Sequence, residues 1–192
     1  MIMDMFVDTH GQVSFQAFKD DADAVLKRAL ENNIWVIMPG TQFSTSQKAV
    51  EIAERYPQGV YAAIGLHPIH LAEKRRVDEF ELQSGMLPAP LETGRSERPS
   101  FLSGFETKAE EFDYAKYKAL GQSKKVVAIG EFGLDYYYEP KSKAKRESQR
   151  IQQKTTLALQ LKLAEELQLP VILHCRKAHK DLLTILQARK QK

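Results

Sequence analysis

The chain reads as α/β, built from βα units on a parallel sheet, and three observations predict it. Short apolar runs start near Met5, Ile34, Val60, Val126 and Pro170. Charged stretches with helical spacing lie between most of them, the alternation that a parallel sheet requires. Three runs then break into residues able to bind a metal: Phe6-Val7-Asp8-Thr9-His10, Val126-Val127-Ala128-Ile129-Gly130-Glu131 and Pro170-Val171-Ile172-Leu173-His174. A strand that ends in His or Glu presents it at the sheet's carboxyl edge, where parallel α/β folds gather their chemistry.

Taken in order, the first run leads into a helix over 20–33, in which Ala24, Val25, Leu26 and Leu30 supply the apolar positions. The run from Ile34 leads into a second helix over 46–56, carried by Ala49, Val50 and Ile52. The third unit is swollen. Its segment 83–105 is rich in Pro, Gly and Ser and reads as an inserted surface loop. A charged amphipathic stretch over 106–120 follows, with Phe112, Tyr114, Ala115 and Leu120 on one face. The fourth helix, 142–168, is the longest, and Pro170 closes it. Leu157, Leu161 and Ala164 form a stripe for the sheet, and Leu159, Leu163 and Leu167 form a second. At about 100° per residue the apolar arc reaches roughly 200°, more than one sheet face covers, so a neighbouring helix is predicted over the remainder, with a second subunit as the alternative.

Composition sets the frame. A chain of 192 residues, 43% hydrophobic and 28% charged, can bury a core, and one domain over 1–192 is expected. The apolar run 34–38 is far too short to span a bilayer, and the first five residues carry Asp4 and no basic side chain, so neither a membrane span nor a signal peptide is expected. The single cysteine, Cys175, has no internal disulfide partner; this fits a cytoplasmic setting and rules out a cysteine-based zinc site. The net charge of +3 is unevenly placed: residues 141–192 hold 13 Lys or Arg against 4 Asp or Glu, and the first 140 hold 15 against 21. A basic half suits a phosphate-bearing substrate, with solvated helix surface as the plain alternative.

Among the candidate site residues, Glu131 stands between Gly130 and Phe132-Gly133, where backbone bulk is small. A strand-end carboxylate there can bridge two cations, or simply cap a helix or pair with a base. His174 ends the cleanest strand and precedes Cys175-Arg176; its imidazole can serve as ligand or base, and Arg176 can grip a phosphate by two hydrogen bonds. His10 has the same alternatives, ligand or ordinary hydrogen-bonded side chain. His67, before Pro68, is a fourth candidate on the same edge, whereas His70 and His179, about a turn beyond strand ends, read as surface residues.

Four segments, Val7-Asp8-Thr9-His10, Ala63-Ile64-Gly65-Leu66-His67-Pro68, Ile129-Gly130-Glu131-Phe132-Gly133-Leu134-Asp135-Tyr136-Tyr137 and Leu169-Pro170-Val171-Ile172-Leu173-His174-Cys175-Arg176, resemble in order the signature stretches of the TatD family of metal-dependent deoxyribonucleases, members of the amidohydrolase-like superfamily. The resemblance implies a TIM-type fold, here the first five βα units of a (β/α)8 barrel. It implies a centre for up to two divalent ions, Mg, Mn or Zn. His10 then matches the first ligand, Glu131 the bridging, catalytic carboxylate and His174 the fifth-strand ligand, while His67 and Arg176 match positions near the substrate phosphate.

Two departures accompany the match. Gln12 stands where the family pattern has a second His, a weaker ligand for zinc-like ions though acceptable to magnesium. The chain also ends within the fifth helix, so it reads as shortened at its C-terminus and holds at most three of the family's six ligands. The expected function is metal-dependent hydrolysis of phosphodiester bonds in a DNA substrate, with little base specificity. The chain is then a fragment of a longer enzyme, a naturally shortened product, or a half-barrel that self-association or a second polypeptide would complete. A catalytically inactive barrel kept as a binding or structural module is the alternative, and related barrels acting on amides, lactones or phosphotriesters are a third reading.

Overall fold

The computed structural model describes residues 5–71, 76–77, 105–106 and 109–190. Five parallel strands form one sheet: β1 (Phe6–Asp8), β2 (Ile34–Pro39), β3 (Val60–Ile64), β6 (Val126–Asp135) and β7 (Val171–Arg176). Their order across the sheet is β1-β2-β3-β6-β7, the same as along the chain, so each crossover moves one strand onward in one direction. Such a sheet curls on itself, and with its helices outside it forms the half-barrel of a TIM-type fold. The two remaining strands, β4 (Arg76–Val77) and β5 (Phe105–Glu106), pair antiparallel as a separate ribbon. The inserted loop expected over 83–105 lies, up to residue 104, outside the described residues.

All five predicted apolar runs are strands, and the helices adjust in length. Helix α1 (Ala22–Glu31) buries Leu26 completely, with Val25 and Leu30 half-buried against the core. Helix α2 (Phe43–Ala53) starts three residues before the predicted 46, because the Thr45 hydroxyl accepts from the N–H groups of Thr41 and Gln42, both at 2.9 Å. Those two bonds satisfy donors that a helix start leaves free. Among the described residues of the stretch 106–120, only 114–120 are helical. Helix α3 (Tyr114–Leu120) begins where the Asp113 carboxylate accepts from the Lys116 N–H at 3.1 Å. Upstream of it Glu110 takes a structural role, accepting from the Phe43 N–H at 3.0 Å and the Tyr117 hydroxyl at 3.1 Å.

Helix α4 (Lys143–Leu167) runs 25 residues and ends at Gln168, whose left-handed φ of 54° turns the chain before Pro170 is reached. Leu157, Leu161 and Ala164 are buried, as the first stripe predicts. The second stripe is covered in part: Leu163 is fully buried and α3 lies alongside, but Leu159 is 37% exposed. The covering helix is a short one, and it leaves Leu159 of that stripe to solvent. Helix α5 (His179–Lys190) follows β7.

His70 corrects its surface assignment. It closes a single 3-10 turn, Pro68–His70, that folds back beside β6, and it is buried with only 5% exposure. His179 is exposed as expected. Among the described residues no helix is long and apolar enough to cross a membrane.

Candidate metal centre

Two of the site strands run further than their motifs suggest. β6 continues four residues beyond Glu131, pairing only with β7 after β3 has ended, and β7 continues to Arg176. The β6–β7 register slips between Ile129 and Phe132, where three steps on β6 match two on β7. Glu131 lies in that irregularity, the kind of bulge that re-aims a side chain. The flanking glycines are required by close approach: a Cβ on Gly133 would meet the His174 carbonyl oxygen at 2.0 Å, and one on Gly130 would meet Ile172 Cβ at 2.6 Å. His10 likewise sits two residues past the end of β1, in a turn where its N–H donates to Asp8 Oδ1 at 2.9 Å. Gln12 follows in the same loop, half-buried, its backbone carbonyl accepting from the Phe15 N–H.

The structure brings two sequence-predicted histidines onto the carboxylate of a third predicted residue, Glu131. Glu131 Oε2 is 3.2 Å from His10 Nε2, and Glu131 Oε1 is 3.3 Å from His174 Nδ1. The other ring nitrogen of His174, Nε2, lies 3.1 Å from Asp135 Oδ2. His67 packs its ring edge-on against that of His174, centroids 4.2 Å apart. One ligand atom each from His67, Glu131 and His174 lie within 4.8 Å of one another.

Charge follows from these contacts. Burial alone would raise the Glu131 carboxyl, but the hydrogen bonds from His10 and His174 prevail and hold it below the usual carboxylate range. Burial alone would lower His174, yet its bonds to Asp135 and Glu131 push it up to about 9. Without a metal both of its nitrogens donate to carboxylates, so the ring is an imidazolium between Glu131 and Asp135. The proton on Nδ1 stands where a cation would be attracted, and Asp135 on Nε2 is the outer partner that a ligating histidine commonly has. The donor set of imidazole nitrogens and a carboxylate thus fits a divalent ion.

His67 differs. Burial pushes it down to about 3, so it is neutral. Its Nδ1 accepts from the Ile69 N–H at 3.2 Å, which assigns the proton to Nε2 from the hydrogen-bond network. His67 thus stands close to Glu131 and His174 as a neutral ring whose Nδ1 lone pair is engaged by the Ile69 N–H.

Arg176 is half-buried, with its guanidinium carbon 3.5 Å from the centre of the Tyr137 ring. Two basic side chains of α4 are committed elsewhere: Arg150 to Glu139, and Lys154 to Asp181 at 2.6 Å. Two contributions were missed in the sequence. Asp135 lay in a quoted motif, but only the structure shows it against His174. The buried amides of Gln153 and Gln160 on α4 are the other; their spacing of seven residues, two turns on one helix face, was the available signal.

A half TIM-type barrel with ligand-type side chains gathered at the carboxyl ends of its strands is the arrangement in which TIM-type barrels place their active sites. The chain belongs to the TatD related DNase family, whose model matches residues 7–192. It is 32% identical over 178 residues to the Escherichia coli "Uncharacterized metal-dependent hydrolase YjjV", a match that covers 92% of this chain and 53% of that protein. It is also 32% identical over 174 residues to the Erwinia tasmaniensis "3'-5' ssDNA/RNA exonuclease TatD", covering 88% of this chain and 50% of that one. The crystal structure of YjjV superposes with a TM-score of 0.63 at 30% identity, over 95% of this chain and 55% of the solved one. The chain spans about half the length of the curated relatives it matches.

Proposed function

We propose that this chain carries the Glu131 half of a metal-dependent phosphodiesterase centre acting on single-stranded DNA. The observation that carries the reading is the Glu131 carboxylate held between His10 and His174 at 3.2 and 3.3 Å at the sheet's carboxyl edge. His10, Glu131 and His174 would hold the divalent ion, with Asp135 orienting His174. An ion bound there would supply Lewis acidity toward a phosphodiester and make a nearby water acidic enough to attack.

The protein's own groups do the rest. Asp135 keeps the His174 proton on Nε2, leaving Nδ1 to face Glu131. His67, neutral and donating from Nε2, supports a phosphate oxygen without competing for the cation. Arg176 neutralises the backbone by charge, and because phosphate contacts carry no sequence information, cleavage is expected to be largely indifferent to base order. The name of the Erwinia relative, a single-strand exonuclease, supports the choice of substrate.

The test is cleavage of a single-stranded oligodeoxynucleotide with added magnesium or manganese, beside Glu131→Ala. Metal-dependent cleavage that the substitution abolishes is expected. Binding of the strand with no cleavage under any metal would overturn the reading in favour of an inactive binding module.

A further inference from the structure

Beyond the strand ends, an aromatic and cationic cluster is tied directly to the centre. Tyr137 follows β6 by two residues and is 40% exposed. Its N–H donates to Asp135 Oδ1 at 2.8 Å, while the other oxygen of that carboxylate faces His174. One carboxylate therefore sets both the histidine and the tyrosine. The Arg176 guanidinium carbon is 3.5 Å from the Tyr137 ring centre, and Lys177 Nζ is 4.6 Å from it. Tyr138 abuts the ring at 86°, centroids 4.8 Å apart, fixing its tilt.

The cations are not held by acids. Among the described residues no carboxylate lies within ion-pair distance of Arg176 or Lys177. Arg176 shares a strand face with His174, two residues away on β7, so it points to the same side of the sheet as the centre. A ring 40% exposed, with Arg176 and Lys177 over it and neither cation paired with a carboxylate among the described residues, offers what one nucleotide of a flexible strand needs, a joint aromatic and guanidinium surface for the base and positive charge for the phosphate. A duplex keeps its bases stacked on one another and cannot use the ring.

We propose that Tyr137, with Arg176 and Lys177, forms a stacking subsite for an unpaired base of a single-stranded nucleic acid whose adjoining phosphodiester is presented to Glu131. This rests on the phosphodiesterase reading for its orientation, but its binding can be measured without catalysis. The experiment uses the metal-free protein in chelator and fluorescence anisotropy of a labelled short single-stranded oligodeoxynucleotide, next to an abasic strand of equal length and the matching duplex. Tyr137→Ala should weaken binding of the base-bearing strand about ten- to a hundredfold and leave the abasic strand within about twofold, whereas Tyr137→Phe should bind as wild type does. The proposal is overturned if Tyr137→Ala binds both strands as wild type does, if it loses both equally, if the duplex binds as well as the single strand, or if wild type binds none of them. A strand-specific loss without metal-dependent cleavage would sink the enzyme reading and leave the subsite standing; cleavage unaffected by a Tyr137→Ala that also binds normally would do the reverse.

Discussion

At Asp135 one carboxylate divides its oxygens between the Tyr137 N–H and His174 Nε2. Its role as the outer partner of a ligating histidine predicts that Asp135→Ala lowers divalent-metal affinity about ten- to a hundredfold while the protein stays folded, read by calorimetric titration; unchanged affinity would assign Asp135 to the loop alone. His174 itself makes a pH prediction for the metal-free protein. Its folded value of about 9 lies above the ordinary 6.5, so the imidazolium contributes stability in full below about pH 6.5 and loses it as pH rises through 9. A shift of this size corresponds to about 3 kcal/mol. His67 works the opposite way: pushed down to about 3 by burial, it costs stability as pH falls below 6.5. Thermal unfolding in chelator should therefore lose Tm on the alkaline side, and His174→Gln should flatten that limb. A Tm that is level from about pH 6.5 to about pH 9.5 would refute the imidazolium assignment.

At the scale of elements, α4 does more than cover the sheet. The Gln160 side chain donates to the Leu66 carbonyl at 3.0 Å and accepts from its N–H at 2.8 Å, and Gln153 does the same for Asp135 at 2.8 and 2.8 Å. Each amide completes the backbone of a strand end as another strand would, one just before His67 and the other at the residue behind His174. Gln160→Leu leaves two buried backbone groups unpaired and should cost about 1–3 kcal/mol in chemical denaturation; a neutral result would mean that water replaces the amide. The strands and the first stripe of α4 were legible because apolar periodicity reports burial. The glutamines were not, because a polar residue inside a helix looks solvated until its partner is known. The start of α2 escaped for a related reason: Thr45 caps it through side-chain bonds that hydrophobic spacing does not record. The extension of β6 to Asp135 was hidden in a motif read for Glu131 alone.

Across the whole molecule, the sheet's order follows the chain, and its outer strands show what that leaves. β1 exposes Phe6 and Val7, 65% and 46%, and Val171 on β7 is 36% exposed, as strands at the two edges of the sheet do. The middle strands carry the core, with Ala62, Ile64, Ile129 and Leu134 fully buried. His10 therefore comes from the most exposed strand and Glu131 from the most enclosed, so a bound cation would tie the edge of the fold to its centre. A ligand that binds only the folded state stabilises it by roughly 2.7 kcal/mol at a hundredfold excess over its dissociation constant. The most direct measurement is calorimetric titration of manganese or zinc into the metal-free protein and into Glu131→Ala. Saturable binding with proton release in the first, weakened at least about tenfold in the second, is what the arrangement of His10, Glu131 and His174 predicts; equal affinity in both, or no binding in either, would contradict a metal centre built on Glu131.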